Sequence, residues 1–142
     1  MEASGKNFHE IVVGEEAELT KTVSQKDIEL FAQATGDFNP VHLDEQYARN
    51  SFFGQRVAHG MLSAGLISAV LGTRLPGPGT IYLSQQLRFL APVKIGDTIC
   101  ARCRVLEKNE EKKTVVLRTT VTNQEGKLVV DGEARVMKRE KK

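Results

Sequence analysis

A single segment, 60–75, restricts the fold of this chain more than any other part of the sequence. Its residues, GMLSAGLISAVLGTRL, spread large apolar side chains around most of a helix and fill the other positions mainly with Ser, Ala and Gly. A helix that is apolar nearly all round is buried, and at 1.5 Å per residue this one would be about 24 Å long. The rest of the chain therefore has to cover a long helix, and the small residues would let other backbone approach it closely.

The second half of the sequence consists of alternating segments that can cover this helix. Apolar and polar residues alternate, between short polar turns, through segments at 79–93, 97–108, 113–123 and 126–138. This pattern is typical of an antiparallel sheet. A weaker alternation at 17–23 predicts a first strand. The sequence therefore predicts an α+β domain in which a long antiparallel sheet is wrapped around one buried central helix.

Two shorter helices are predicted before the buried one. The first runs from Ser24, a good N-cap, to Gly36, a natural C-terminal stop. The second follows at 44–51 with the sequence DEQYARNS. The residues that connect them, TGDFNPVH at 35–42, are therefore predicted to form a loop.

This loop contains the strongest candidates for chemistry. Pro40 fixes its own φ and keeps Asn39 out of the α region, which makes the turn stiff. Asp37 and His42 could converge in such a turn and work as a general acid/base pair, and the acid would raise the affinity of the histidine for a proton. Composition alone favours a structural use, in which Asp37 caps the turn and His42 is a hydrogen-bonded polar residue.

His59, Gly60 and Met61 stand at the entry to the buried helix. The first N–H groups of a helix have no internal partner, and the helix dipole favours negative charge there. A substrate carbonyl near Gly60 would find an oxyanion-type site, with no side chain in the way. The local sequence is equally consistent with a glycine that only allows tight packing of the helix.

A metal site is a weaker interpretation of the same residues. It would use Asp37, His42 and Asp44, with or without His59. These positions show no recognised ligand spacing, so the sequence favours a site without a metal.

The sequence contains no motif for a serine hydrolase or for nucleotide binding, and its cysteines indicate no thiol chemistry. Ser63 and Ser68 lie on the buried helix outside any G-x-S-x-G elbow, and neither glycine-rich phosphate motif occurs. Cys100 and Cys103 belong to an alternating strand and would point to opposite faces of the sheet. We therefore expect reduced thiols and an intracellular compartment.

The length and net charge of the chain argue against some classes of binding partner. The 142 residues fit one domain with a full core, and the net charge of +2 is too small to indicate nucleic acid or a membrane. No apolar run is long enough to span a bilayer, and the first residues lack the pattern of a secretory signal. The sequence predicts an ordinary soluble globular domain.

Together, these motifs resemble the MaoC-like, (R)-specific enoyl-CoA hydratases of the hydratase 2 group. The resemblance is carried by TGDFNPVHLDEQYA, VAHGMLSAGLISAVLG, LPGPGTIYLSQQLRFLAPVKIGDT and DGEARV, which begin at Thr35, Val57, Leu75 and Asp131. It implies a single domain over 1–142, with its core at about 10–138, similar to the short form used in polyhydroxyalkanoate precursor supply. Ala34, where a larger aliphatic residue or Gly is expected, is a minor departure.

The resemblance implies a hot-dog fold, a homodimer and a trans-2-enoyl-CoA substrate that is hydrated to (R)-3-hydroxyacyl-CoA, without a metal or an organic cofactor. Asp37 and His42 match the catalytic pair, which activates one water and returns a proton to C2. Asn39 would orient the loop or the water, and the Gly60 N–H would polarise the thioester carbonyl. Ser68 aligns with a serine near the catalytic loop, and the substrate-binding residues would be Pro40, His59 and Met61.

Three other functions share parts of this pattern. A hot-dog thioesterase acts on acyl-CoA substrates, but most such enzymes lack the D-x-N-P-x-H arrangement. A non-catalytic acyl-thioester binding module would have lost Asp37 and His42, which are intact in this sequence. A dehydratase acting on acyl carrier protein would keep the chemistry and change the carrier. We expect a cytoplasmic protein, or a mitochondrial one if the source is eukaryotic.

Overall fold

The strands lie where the alternating segments predict them. The computed structural model describes residues 5–139, so both ends of the predicted domain, 1–4 and 140–142, lie outside the described residues. Its sheet has five strands, β1 (Glu16–Thr22), β2 (Ile81–Phe89), β3 (Thr98–Asn109), β4 (Thr114–Thr122) and β5 (Leu128–Met137). All neighbours in the order β1-β3-β4-β5-β2 are antiparallel, which leaves β1 and β2 as the edges.

One face of the sheet forms the core. Along β3, Ile99, Ala101, Cys103 and Val105 alternate inward and are buried together with apolar residues of β4 and β5. Cys100 points to the other face, as predicted, and stays partly exposed. Burial raises the pKa of the Cys103 thiol to about 12, so this thiol is protonated near neutral pH and is not a nucleophile.

The central helix packs against this inward face, but the sheet covers only one side of it. Helix α4 spans Gly60–Thr73, two residues shorter than predicted, because Arg74 leaves the helical region and Pro76 disfavours helical dihedrals at Leu75. Its buried residues are Ser63, Ala64, Ile67, Val70 and Leu71. The opposite side, with Met61, Gly65 and Ser68, is exposed. The predicted α+β class is confirmed, whereas the expectation that this helix is buried all round is wrong within the single chain.

Strand β2 continues this uncovered region. Leu83 is 45% exposed, and Ile81 and Phe89 are also open to solvent. A groove joins Leu83 and Leu87 of β2 to Met61 and Ser68 of α4. We call this region, formed by Met61, Gly65, Ser68, Leu83 and Leu87, the α4–β2 face.

The first helix begins at a side-chain cap and ends at a glycine. Helix α1 (Gln25–Thr35) starts at Ser24, whose Oγ accepts from the Asp27 N–H while the Asp27 carboxylate accepts from the Ser24 N–H. Gly36 ends it in the left-handed region at φ 81°, which favours glycine.

Among the described residues, no helix has both the length and the apolar character needed to cross a membrane.

The loop predicted through His42 is shorter than expected, because Pro40–Leu43 forms one helical turn, α2. The Asn39 side-chain oxygen accepts from the Val41 N–H at 3.2 Å and caps this turn. Proline at the first helical position needs no hydrogen-bond acceptor, so the same Pro40 that ends the loop begins the turn. Helix α3 (Glu45–Arg49) follows at once and is capped by Asp44.

Replacing the cap of α1 should lower stability without changing the fold. We expect Ser24→Ala to lower the free energy of unfolding by about 1 kcal/mol, because the Asp27 N–H loses its acceptor. Urea denaturation followed by far-UV circular dichroism measures this difference. Ser24→Asn, which keeps a capping oxygen, is the matched control, and equal stability of the two variants would contradict the capping role.

Candidate active site

Helix α2, the loop before it and the segment that leads into α4 meet at the N-terminal end of α4. The buried His42 ring of α2 holds its Nδ1 at 2.7 Å from the Val57 carbonyl oxygen. A carbonyl can only accept, so Nδ1 carries the proton and Nε2 carries the free lone pair. The fold therefore presents His42 as a proton acceptor.

Asp37 lies beside this ring with an exposed carboxylate. Its backbone N–H donates to the Thr35 hydroxyl at 3.1 Å, and its Oδ1 accepts from the Asn39 N–H at 3.3 Å. A carboxylate oxygen of Asp37 and ring nitrogens of His42 and His59 all lie within 4.8 Å of one another. The structure thus brings together the acid and the imidazole that the sequence predicted to converge.

His59 lies beneath this pair. Its side chain is 2% exposed, and its Nε2–H donates to the Asp37 carbonyl oxygen at 3.0 Å. Its ring stacks against His42 with 3.9 Å between centroids and against Phe31 with 4.7 Å. Its Nδ1 has no hydrogen-bond partner among the described residues. His59 therefore contacts both members of the pair and is largely shielded from a ligand.

The surroundings of His42 keep the ring neutral. Burial lowers its pKa below the usual 6.5, and the neighbouring His59 lowers it further. The hydrogen bond to Val57 and the charge of Asp37 act in the opposite direction but are outweighed. The predicted effect of Asp37 on proton affinity has the expected sign, but the net shift is the reverse because desolvation dominates.

Gly60 is the first residue of α4, and its N–H makes no hydrogen bond within the described residues. A Cβ at this position would lie 2.8 Å from Cε1 of Phe89, so a larger residue would require the phenyl ring to move. Both sequence interpretations of Gly60 therefore find support, since the glycine permits close packing and also leaves a free N–H at a helix N-terminus.

Two cavities open at this site. The first, about 600 Å³, is lined by Asp37, Asn39, His42, Gly60, Phe53 and Phe89 among others. The second, about 900 Å³, shares Asp37 and Met61 with the first and runs along the α4–β2 face to Ser68. Ser68 therefore lies in a different cavity from His42, and Pro40 lines neither.

Several lining residues were not predicted as site residues, although they lie in segments that carry the family resemblance. Phe89 and Gln85 come from β2, and Val57 comes from the segment before α4. Which face of an edge strand borders a cavity depends on the packing of distant elements. The alternation in the sequence predicts the strand β2, but it does not predict which of its residues line a cavity.

Among residues 5–139, Asp37, His42 and His59 form the group that could also hold a metal ion. Asp44 is not part of this group, and its Oδ1 accepts from the Tyr47 N–H and caps α3. The Val57 and Asp37 carbonyl oxygens occupy His42 Nδ1 and His59 Nε2, so the remaining groups are His42 Nε2, His59 Nδ1 and the Asp37 carboxylate. Two of these, His42 Nε2 and the Asp37 carboxylate, are the groups that an acid/base mechanism uses.

The fold and this site define a class of protein, an α+β hot-dog domain with an Asp/His pair beside the N-terminus of its central helix. The chain belongs to the family described as "MaoC like domain", whose family model matches residues 9–127. The resemblance seen in the sequence motifs is therefore confirmed.

Relatives in this family resemble the chain over nearly its whole length. It is 56% identical over 130 residues to the (R)-specific enoyl-CoA hydratase of Rhodospirillum rubrum, which covers 92% of this chain and 90% of the relative. The R-hydratase PhaJ1 of Pseudomonas aeruginosa has a similar structure, with a TM-score of 0.91 and 52% identity over 96% of this chain and 88% of that one. The (R)-hydratase of Aeromonas caviae involved in PHA biosynthesis also has a similar structure. Its TM-score is 0.87 and its sequence identity is 42%, and the match covers 89% of this chain and 96% of that one.

The depressed pKa of His42 should appear in the pH dependence of stability. An imidazole that is neutral when folded binds fewer protons than the unfolded chain, so stability is fully present above the unfolded pKa near 6.5 and is lost as the pH falls through the lower folded pKa. We expect the free energy of unfolding to fall between about pH 7.5 and 5.5. Urea denaturation at both values measures it.

The control separates His42 from other groups that titrate in this range. His42→Asn should reduce the pH dependence, whereas Ser24→Ala, which removes no titratable group, should lower stability equally at both pH values and leave the pH dependence unchanged. An equal slope in wild type and His42→Asn would contradict the assignment.

Proposed function

We propose that this protein is an (R)-specific enoyl-CoA hydratase. It adds water to a trans-2-enoyl-CoA to give the (R)-3-hydroxyacyl-CoA and catalyses the reverse dehydration. The observation that carries the proposal is a buried, neutral His42, with Nδ1 hydrogen-bonded to Val57, beside the Asp37 carboxylate. The identity to the Rhodospirillum rubrum hydratase supports the same activity.

The residues present can carry the reaction without a further group. His42 Nε2 takes a proton from a water held between it and the Asp37 carboxylate, and the water oxygen bonds to C3. The electron pair of the C2–C3 double bond moves toward the thioester carbonyl oxygen, where the free Gly60 N–H stabilises the enolate charge. C2 then takes a proton from the same pair, so water and proton enter from one side.

The other predicted site residues take supporting roles in this proposal. Asn39 orients the loop, because its side-chain oxygen caps α2, and it also lines the cavity that holds the water. Met61 lines both cavities and contacts the substrate, and Ser68 contacts the acyl chain in the second cavity. Pro40 acts on the backbone at the start of α2 and makes no direct contact.

The uncovered α4–β2 face supports the proposal of a homodimer. Met61 is 56% exposed and Leu83 45%, beside an edge strand whose hydrogen-bonding groups face solvent on one side. An exposed apolar surface next to an open sheet edge is a site of association. We propose that a second copy of the chain covers this face and closes the second cavity into a channel.

The proposed setting is the cytoplasm, with the mitochondrion as the alternative in a eukaryote. The product (R)-3-hydroxyacyl-CoA would serve as a polyhydroxyalkanoate precursor. The relation to the Aeromonas caviae enzyme supports that use.

The activity is tested by mixing the protein with crotonyl-CoA and following the absorbance of the conjugated enoyl thioester. We expect absorbance to fall without release of free thiol, and an (R)-specific dehydrogenase to oxidise the product. Release of CoA would identify a thioesterase instead. No reaction with any length of enoyl-CoA, but reaction with an enoyl-acyl carrier protein, would transfer the proposal to the other carrier.

Asp37→Asn should remove most of this activity while leaving the fold intact. The substitution removes a proton-handling carboxylate without loss of bulk, so we expect the kcat for crotonyl-CoA to fall by about a hundredfold or more. Asp44→Asn is the matched control, because an asparagine can still cap α3. Near-wild-type kcat in Asp37→Asn would reject the catalytic pair.

Light scattering tests the dimer. We expect a mass about twice the 15.7 kDa of one chain. Leu83→Lys should produce monomers, because the lysine places a charge in the proposed contact. Leu106→Lys changes a similarly exposed leucine outside the α4–β2 face and should remain dimeric. A wild-type monomer at assay concentration would contradict the proposal.

A further inference from the structure

The segment 56–59, which leads into α4, holds both members of the proposed catalytic pair by their backbone carbonyls. The Arg56 Nε–H donates to the carbonyl oxygen of His42 at 2.8 Å. Three residues later, the His59 Nε2–H donates to the carbonyl oxygen of Asp37 at 3.0 Å. One short segment therefore supplies a side-chain donor to each of the two residues.

Arg56 is an unusual donor in this position. Its side chain is only 8% exposed, and among residues 5–139 no carboxylate forms an ion pair with it. Its Nε–H bond to the His42 carbonyl oxygen is the side-chain hydrogen bond that Arg56 makes among the described residues, so this contact orients the side chain toward α2.

The backbone of the same segment is itself fixed. The Val57 carbonyl oxygen accepts from His42 Nδ1, and the Val57 N–H points to the Val41 carbonyl oxygen at 3.4 Å. The Ala58 N–H donates to the Val93 carbonyl oxygen at 2.7 Å. The segment thus links α2 to the turn that precedes β3, and its two side-chain donors extend from a rigid backbone.

We infer that Arg56 and His59 are positioning residues for the hydration reaction, an inference that rests on the proposed function. They set the relative placement of Asp37 and His42 through the two carbonyl hydrogen bonds. This assigns His59 a different role from the substrate-binding one that the family resemblance implies. A misplacement of about 1 Å between reacting groups can lower a rate by about a hundredfold, so these bonds act on kcat.

The test compares kcat and KM for crotonyl-CoA in variants that remove or keep each donor. We expect Arg56→Met and His59→Leu to lower kcat by about a hundredfold with little change in KM. His59→Gln keeps an N–H donor and should recover most of the rate. Arg56→Lys keeps the charge but loses the Nε–H, so it should remain impaired, which separates the hydrogen bond from the charge.

Lys138→Met is the matched control for loss of a buried cation. Lys138 is 7% exposed and donates to the Pro78 carbonyl oxygen at 2.6 Å, away from the two cavities. This variant should lose stability but keep its kcat. If Arg56→Met and His59→Leu stay within about threefold of the control, the inference is wrong.

Amide hydrogen exchange keeps the inference separate from the proposed function. Residues 37–43 should exchange faster in Arg56→Met and His59→Leu than in wild type, and should be unchanged in Lys138→Met. If wild type has no hydratase activity, the proposed function fails, and the exchange rates alone decide whether these side chains hold the loop. Unchanged exchange in both variants would overturn the inference whatever the activity.

Discussion

The packing of α4 on one side only is the constraint on which the rest of this structure depends. Strands β1, β3 and β4 contact α4, whose Ile67, Val70 and Leu71 are buried in the core, and this packing fixes the axis and rotation of the helix. That placement sets the N-terminal residue Gly60 against Phe89 and brings the preceding segment beside α2. It also leaves the α4–β2 face open, so the end that carries the proposed catalytic pair and the uncovered face of the molecule result from the same packing.

The chemistry of the site comes from two opposing effects on one histidine. The Asp37 charge favours the imidazolium form of His42, and burial together with His59 favours the neutral form and prevails. A neutral ring whose Nδ1–H is held by Val57 can accept a proton at Nε2 only. The burial that keeps the ring neutral also depends on His59, whose ring stacks against that of His42.

The sequence predicted the structure correctly where residues close together in the chain determine the backbone conformation. Ser24 and Gly36 bound α1 as predicted, and Asp37 and His42 converge because Pro40 stiffens the few residues between them. The helical turn α2 was missed because its residues have the composition of a loop. In the structure, the Asn39 side chain caps the turn. Arg56 and Phe89 were missed because the residues they contact are distant in the chain, and a sequence motif does not show such contacts.

The sequence by itself determined the fold class and the family and named Asp37 and His42 as the proposed acid/base pair, because periodicity, caps and a stiff motif are local properties. Only the tertiary structure decided which side of α4 stays open, which cavity each residue borders and whether His42 is charged. Those outcomes depend on desolvation and on contacts between residues far apart in the chain. Burial, unlike a cap or a turn, is a property of the whole packed molecule.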